Sequence, residues 1–197
     1  MAHHTYKTDT LVLSCQPVGE RNMYYVLFTK DFGRLYASAQ GIRKMESKLR
    51  YHLQDQSFAT VFLVYGKGGW RITNAEAYNN FFYDFNTSKN KQVLTARIVS
   101  LLRMFLTGEE KNEELFSAVI DGLTFLATEN LGIDSVHSVE HILVLRMLQL
   151  LGYVEDIPVL QQFLTKEWNV EIIESMKREK GVVVQAINRS LQASHLF

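Results

Sequence analysis

Up to about residue 78, apolar and β-branched residues occur in short runs separated by turn residues, a pattern typical of β-strands. Five such runs predict strands at residues 10–15, 23–28, 34–40, 58–65 and 70–75. Residues 30–33 offer a glycine hairpin turn, residues 66–69 offer a looser one, and the connection over residues 41–57 is long. This arrangement favours a small Greek-key barrel of the OB type, whose open face and rim loops commonly hold nucleic acid. An SH3-like or other small barrel would give the same strand count.

After residue 79, apolar residues recur at three- and four-residue spacing, which predicts helices. Ser135 is expected to cap a helix that runs to Leu151, and Gly152 is expected to end it. The expected helices cover residues 98–106, 115–126, 135–151, 158–166, 168–179 and 182–194. We therefore predict a two-domain α+β protein, with a five-stranded OB-type nucleic-acid-binding barrel over residues 1–78 and an all-α helical domain over residues 79–197.

Composition adds a charge asymmetry to this picture. The 197 residues are 47% hydrophobic, enough for a substantial core, and 21 basic side chains balance 21 acidic ones. Residues 1–80 carry ten basic and six acidic side chains, a net +4, and the remainder carries eleven and fifteen, a net −4. The first half is therefore the one expected to face a polyanion, although a swing of this size also arises by chance.

Other compositional features bear on the compartment. The single cysteine, Cys15, excludes an intramolecular disulfide and a zinc site built from several thiolates, and it fits a reducing cytosol. No apolar run approaches the roughly 18 residues of a membrane span, and the amino terminus lacks the layout of a signal peptide. We therefore expect a cytoplasmic protein.

The long connection contains a basic segment, residues 41–50. Glu46 is its one acidic residue, and Arg34, Tyr36 and Tyr51 flank it. A single-strand binder needs cations along the phosphate path and exposed rings on which bases stack. A solvated charged loop is the alternative interpretation. The four cations of the segment are Arg43, Lys44, Lys48 and Arg50.

Several stretches resemble, in order, the RecO family of recombination mediators. Three lie in the barrel half: residues 12–20 (VLSCQPVGE), 26–35 (VLFTKDFGRL) and 39–49 (AQGIRKMESKL). The similarity continues through residues 66–76, where a glycine turn precedes a strand. It resumes at the helix ending in Leu-Leu-Gly-Tyr153 and at the final helical residues 186–196. No single motif is diagnostic, and the ordered set carries the resemblance.

The resemblance implies an OB-type domain joined to a helical domain, without enzymatic activity and without a cofactor. It implies binding of single- and double-stranded DNA irrespective of sequence, strand annealing, and residence near the nucleoid. The implied protein partners are RecR and single-stranded-DNA-binding protein, with which the protein helps to load RecA. DNA contact is carried over to Arg43, Lys44, Lys48 and Arg50, and Arg34 follows from its place in the hairpin. We add Lys67 and Arg71, which lie on or beside the neighbouring hairpin.

The chain departs from the family pattern in two places. Many members carry a cysteine-based zinc site just after the Leu-Leu-Gly-Tyr segment, whereas residues 154–160 contain no cysteine, so zinc ligation of that type is excluded. The chain is also short for the family, chiefly between Tyr153 and Val182.

Two alternatives belong to other functional classes. His137, Glu140 and His141 match the His-x-x-Glu-His pattern of some zinc peptidases, which predicts a metal-dependent hydrolase if a third ligand is nearby. Glutamates 155, 167, 171 and 174 could supply that ligand. A polar first turn of an apolar helix explains the pattern equally well. The other alternative is a protein-interaction module that acts through its acidic helical half.

One aromatic cluster is expected near residues 70–85. Its rings could stack bases, but packing between the barrel and the helices is the commoner use of such residues. Its members are Trp70, Tyr78, Phe81, Phe82, Tyr83 and Phe85.

Overall fold

A computed structural model of the chain describes residues 4–194. The amino-terminal part contains five strands: β1 (Thr5–Val18), β2 (Asn22–Thr29), β3 (Gly33–Ala39), β4 (Ser57–Gly66) and β5 (Gly69–Asn80). Two four-residue helices accompany them, α1 (Leu49–His52) and α2 (Phe81–Asp84). Longer helices follow: α3 (Lys89–Phe105), α4 (Glu113–Thr128), α5 (Ile133–Leu150), α6 (Gln161–Thr165) after a 3₁₀ turn at Pro158–Leu160, and α7 (Val170–Ala193). The predicted fold class is confirmed.

The five strands close into a barrel in the order β1-β2-β3-β5-β4, which is the strand order of OB barrels. The pair β3–β5 is parallel, whereas β1–β2, β2–β3, β1–β4 and β4–β5 are antiparallel. Alternate residues point inward, so the period-2 pattern of the sequence becomes the barrel core. That core contains Val12, Tyr25, Leu27, Leu35, Ala37, Ala39, Ile42, Leu53, Val61, Leu63, Trp70, Ile72 and Ala75.

The chain packs into two compact units. Of the residues that the structure describes, the first unit holds residues 4–87 and 99–113, and the second holds residues 88–98 and 114–194. The division therefore falls inside helix α3. The domain boundary that we predict after residue 78 remains a proposal, because a compact packing unit and an evolutionary domain can end at different residues.

Residues 106–113 pack against one end of the barrel. The backbone N–H of Arg34 donates to the carbonyl oxygen of Gly108 at 3.0 Å, and Trp70 Nε1 donates to Glu109 Oε2 at 3.0 Å. Gly33, at the start of β3, has a φ of +67°. Its position in a tight turn and against this segment therefore suits a residue without a β-carbon.

In the second unit, Arg146 of α5 and Trp168 fix the segment before α7. The guanidinium of Arg146 lies 4.4 Å from the Trp168 ring centroid and donates from Nε to the carbonyl oxygen of Phe163 at 2.7 Å. Burial lowers the pKa of Arg146. The C-terminal end of α5 is closed as predicted: Gly152 has a φ of +81°, and Tyr153 N–H donates to Leu148 O at 2.9 Å, as in a Schellman motif.

Three helix predictions need correction. Residues 168–179 and 182–194 form one helix, α7, because an apolar stripe of buried residues including Ile173 and Val183 continues across Gly181 and outweighs its helix cost of about 1 kcal/mol. Helix α5 begins at Ile133 with Gly132 at the cap position, so Ser135 lies inside its first turn. The short helices α1 and α2 were not predicted, since four residues carry no readable periodicity.

Among residues 4–194, no helix is both long enough and apolar enough to cross a membrane.

Candidate nucleic-acid interface

Two tyrosines stack on the outer face of the barrel. Tyr24 of β2 and Tyr36 of β3 alternate with core residues and point outward, where they are 36% and 44% exposed. Their ring centroids lie 6.0 Å apart with 15° between the planes. Exposed, nearly parallel rings offer a surface on which nucleobases can stack. We call Tyr24 and Tyr36 the tyrosine platform.

Residues 41–48 of the basic segment precede α1, and we call them the basic loop. The basic loop is hydrogen-bonded to the β1–β2 turn. Arg43 Nη1 donates to the carbonyl oxygen of Gly19 at 2.8 Å, and the backbone N–H of Arg43 donates to Arg21 O at 3.1 Å. The backbone N–H of Gly41 donates to Asn22 Oδ1, at the start of β2, at 3.0 Å. These bonds hold the loop beside the strand that carries Tyr24, although the side chains of Lys44 and Lys48 remain exposed.

The β4–β5 turn brings further cations to the same outer face. Tyr24 pairs with Ser38, and Ser38 pairs with Arg71, so the three residues form one row across β2, β3 and β5. Ser38, Gln40, Lys67 and Arg71 line a groove of about 270 Å³. Lys67 and Arg71 therefore lie beside β3, the strand that carries Tyr36 of the tyrosine platform.

Two of the predicted DNA-binding arginines pack against tyrosine rings. Arg34 lies 5.5 Å from the ring centroid of Tyr36, and its Nη1 donates to Arg103 O at 2.8 Å. Arg50 lies 4.8 Å from the ring centroid of Tyr51 and donates to its hydroxyl oxygen at 2.7 Å. Arg34 thus helps to hold residues 99–113 on the barrel and places positive charge beside the platform.

The predicted cations keep their charges unneutralised. Within residues 4–194, none of the seven predicted DNA-binding residues forms an ion pair with a carboxylate. Lys30, in the β2–β3 turn, instead pairs with Glu113 at 3.2 Å. A surface with unpaired cations attracts phosphate groups more strongly than one in which each cation is paired. The seven residues are Arg34, Arg43, Lys44, Lys48, Arg50, Lys67 and Arg71.

Trp70 lies apart from the other members of the expected aromatic cluster, because it is at the opposite end of β5 from Tyr78. Trp70 packs at one barrel end, 5.3 Å from both Tyr6 and Phe32. Tyr78 lies 4.7 Å from Phe58 on the outside of β4 and β5. Phe81 and Phe85 are buried, whereas Phe82 and Tyr83 are 48% and 56% exposed. The groups separate because residues 70 to 80 form one long strand, whose ends are far apart.

The His-x-x-Glu-His pattern is not assembled as a metal site. Glu140 Oε1 accepts a hydrogen bond from Arg97 Nη1 at 2.9 Å, and burial lowers the pKa of His141. His137 Nδ1 lies 3.6 Å from Glu140 Oε2. In the part of the chain that the structure describes, no group of three His, Cys, Asp or Glu residues is placed to hold a metal ion. Lysines 177 and 180 line the adjoining pocket, an unfavourable setting for a cation.

The sequence analysis did not single out Tyr24 or Arg21. Tyr24 lies in a run of apolar residues, where its side chain reads as part of the core. Its partner across the strands, and therefore its stacking on Tyr36, depends on the β2–β3 register. From sequence, Arg21 is an isolated charge in a turn. Only the structure shows that the backbone N–H of Arg43 donates to the Arg21 carbonyl oxygen and so connects this turn to the basic loop.

The chain is similar to known DNA repair proteins. Residues 1–81 match the family described as Recombination protein O N terminal. The DNA repair protein RecO of Caldanaerobacter subterraneus subsp. tengcongensis is 27% identical over 148 residues, which cover 75% of this chain and 58% of the relative. The DNA repair protein RecO of Pelotomaculum thermopropionicum is 30% identical over 123 residues, covering 62% of this chain and 47% of the relative.

The matched region spans about half the length of these relatives. The family match over residues 1–81 includes all five strands, the basic loop and the tyrosine platform. Residues 1–81 therefore match the amino-terminal domain of the RecO family, and the chain is similar to proteins described as DNA repair protein RecO.

Proposed function

We propose that this protein binds single- and double-stranded DNA without sequence preference and anneals complementary strands. The observation that carries the proposal is the tyrosine platform, two stacked and exposed rings bordered by cations without carboxylate partners. Phosphates neutralise the cations, and unstacked bases lie on the rings. Neither contact reads base edges, so the binding is independent of sequence.

Annealing follows from the same geometry. A surface that binds the backbone and stacks bases loosely holds two complementary strands close together while leaving their Watson–Crick edges free. Neutralisation of phosphates by Lys44, Lys48 and the neighbouring cations lowers the repulsion between the strands. The base pairs formed in the product then drive the reaction, so no catalytic residue is required.

The similarity to RecO proteins supports a further proposal about partners. We infer that the protein acts with RecR and with single-stranded-DNA-binding protein, and so helps to load RecA on coated DNA. The net −4 of residues 81–197 makes this part of the chain less suitable for DNA and more suitable for proteins.

The DNA-binding proposal is tested by charge reversal in the basic loop. We choose Lys44→Glu with Lys48→Glu, because both side chains are exposed and neither supports the loop as Arg43 does. The double variant is expected to bind oligonucleotides of every sequence more weakly. For each phosphate that is no longer neutralised, the plot of log affinity against log salt should become shallower by about 0.7 to 0.9.

The matched control is Lys166→Glu with Lys180→Glu, which makes the same change in net charge at exposed positions of the second unit. This control should retain the parental affinity and salt slope. Equally weakened binding in the two double variants would mean that net charge alone matters, and the interface would be misplaced. A strand-annealing assay, with and without single-stranded-DNA-binding protein, then tests the proposed activity.

A further inference from the structure

A cleft separate from the tyrosine platform opens at the barrel end covered by α1. Its volume is about 610 Å³, within the roughly 300–1,000 Å³ typical of ligand pockets. Met23 and Tyr25 line it, and they point to the opposite side of β2 from Tyr24. We call it the basal cleft. Its lining also includes Arg43, Arg50, Gln56, Phe82 and Tyr83.

The floor of the basal cleft is a rigid turn at residues 54–57. Asp55 Oδ1 accepts a hydrogen bond from the backbone N–H of Cys15 at 2.8 Å. Asn80 Nδ2 donates to both the carbonyl oxygen of Asp55 and Ser57 Oγ, at 3.0 and 2.8 Å. The backbone N–H of Gln56 donates to Val12 O at 3.0 Å. A ligand would therefore meet a floor whose shape is fixed in advance, which lowers the entropic cost of binding.

Gln56 departs from ordinary backbone and hydrogen-bonding behaviour. Its φ is +64°, the left-handed region that residues with a side chain rarely adopt. Its side-chain Oε1 is buried and has no hydrogen-bond partner in the structure. Both features cost folding free energy, and such strained, unsatisfied residues concentrate where ligands bind.

The rim of the basal cleft combines rings with cations. Tyr83 is 56% exposed and Phe82 is 48% exposed, and their rings meet edge to face with centroids 5.6 Å apart. Arg43 and Arg50 stand on the side formed by the basic loop and α1. The cleft thus combines exposed rings and positive charge above a floor that contains the strained residue Gln56.

We propose that the basal cleft takes up one unstacked nucleotide of single-stranded DNA. The inference rests on the proposed DNA binding and adds a second base-binding site to it. The base stacks on Tyr83 beside Phe82, and the adjoining phosphates lie against Arg43 and Arg50. Arg43 also contacts the β1–β2 turn, so one strand can run from the tyrosine platform into the cleft.

This site would distinguish single strands from duplexes. A base in a duplex is stacked on both faces and paired along its edge, so it cannot enter the cleft without being extruded at a cost of a few kcal/mol. The tyrosine platform and the cations accept phosphates of either form. The cleft therefore gives the protein a preference for single strands that phosphate contacts alone do not supply.

The test compares oligothymidylate with an abasic oligomer of the same length and charge, both bound to the full chain. Tyr83→Ala removes the stacking ring at an exposed position, and Tyr83→Phe keeps it as the matched control. We expect Tyr83→Ala to lower oligothymidylate affinity by about 5-fold to 150-fold, the range for loss of one stacked base, with abasic affinity unchanged. Tyr83→Phe should bind both oligomers like the parent.

A second variant guards against misfolding. Phe82→Ala removes the exposed ring beside Tyr83, a position where truncation leaves no core cavity, and it should also weaken oligothymidylate binding selectively. Photo-crosslinking with 5-iodouracil oligonucleotides should label the peptide that contains Phe82 and Tyr83. Parental oligothymidylate affinity in Tyr83→Ala and Phe82→Ala would overturn the cleft while leaving DNA binding intact. Failure of the parent to bind either oligomer at low salt would overturn the proposed function itself.

Discussion

Gly33 lies directly against the backbone of Glu110, so close that a β-carbon on Gly33 would come within 2.1 Å of the Glu110 carbonyl oxygen. Backbone atoms cannot move aside as the end of a long side chain can. Because the φ of Gly33 is +67°, two separate penalties oppose any side chain at this position. The contact joins the start of β3 to residues 106–113, which are remote in sequence.

Gly33→Ala should therefore destabilise the barrel unit. We expect a loss of at least about 2 kcal/mol in the free energy of unfolding, from overpacking and from the unfavourable φ together. The measurement is urea denaturation followed by circular dichroism. Gly19→Ala is the matched control, because Gly19 has a φ of +62° but would place its β-carbon in open space. Equal destabilisation of the two variants would mean that the close approach to Glu110 contributes nothing.

The tyrosine platform gives a prediction about binding. Tyr24→Ala with Tyr36→Ala should weaken the affinity for single-stranded DNA by about 2 kcal/mol or more, since each stacked base contributes about 1–3 kcal/mol. The double variant Tyr24→Phe with Tyr36→Phe keeps both rings and should bind like the parent. Fluorescence anisotropy of labelled oligonucleotides measures both affinities. Weaker binding by the phenylalanine variant would indicate that the hydroxyl groups, and not the rings, carry the interaction.

The barrel could be predicted from sequence because the patterns that specify its strands and turns lie within short stretches of the chain. Each strand alternates inward and outward residues, and the hairpin glycine at residue 33 adopts the positive φ that its turn requires. The tyrosine platform could not be predicted, since the meeting of Tyr24 and Tyr36 is a consequence of strand register. The contact of Gly33 with Glu110 could not be predicted either, because no local sequence pattern relates two residues so far apart in the chain.

The helical half shows where local rules fail. Gly181 reads as a helix end, yet α7 passes through it because buried residues on both sides keep the same face. Gly152 also reads as a helix end and is one, since the apolar stripe stops there and its φ is +81°. Glycine alone therefore does not decide where a helix ends, and the continuity of the buried face does.

Cys15 should be unusually unreactive in the folded protein. Burial, assisted by the nearby Asp55 carboxylate, raises the pKa of the Cys15 thiol from 9.0 to about 12. Alkylation needs the thiolate, so at pH 8 iodoacetamide should react about a thousandfold more slowly than with the urea-unfolded chain. The rate should rise about tenfold per pH unit up to pH 11 in the folded protein.

The Asp55→Asn variant separates the two causes of this shift. An amide oxygen can still accept the hydrogen bond from the Cys15 backbone, but it carries no charge to oppose the thiolate. Because burial is the larger cause, the alkylation rate should rise only partly toward that of the unfolded chain. A folded parent that reacts as fast as the unfolded chain at pH 8 would contradict the raised pKa.

Arg146 should prove irreplaceable by lysine in the helical unit. Its planar guanidinium stacks on Trp168 and donates to the carbonyl oxygens of Phe163 and Lys166, a combination that a lysine ammonium cannot reproduce. Arg146→Lys should lower the free energy of unfolding by about 1–3 kcal/mol, because half-buried carbonyl groups lose their donors. Arg97→Lys is the matched control, since Arg97 forms an exposed ion pair with Glu140 that contributes at most about 1 kcal/mol. Urea denaturation followed by tryptophan fluorescence reports the difference. A loss in Arg146→Lys no larger than in Arg97→Lys would mean that ring packing around Trp168 suffices to hold the segment before α7.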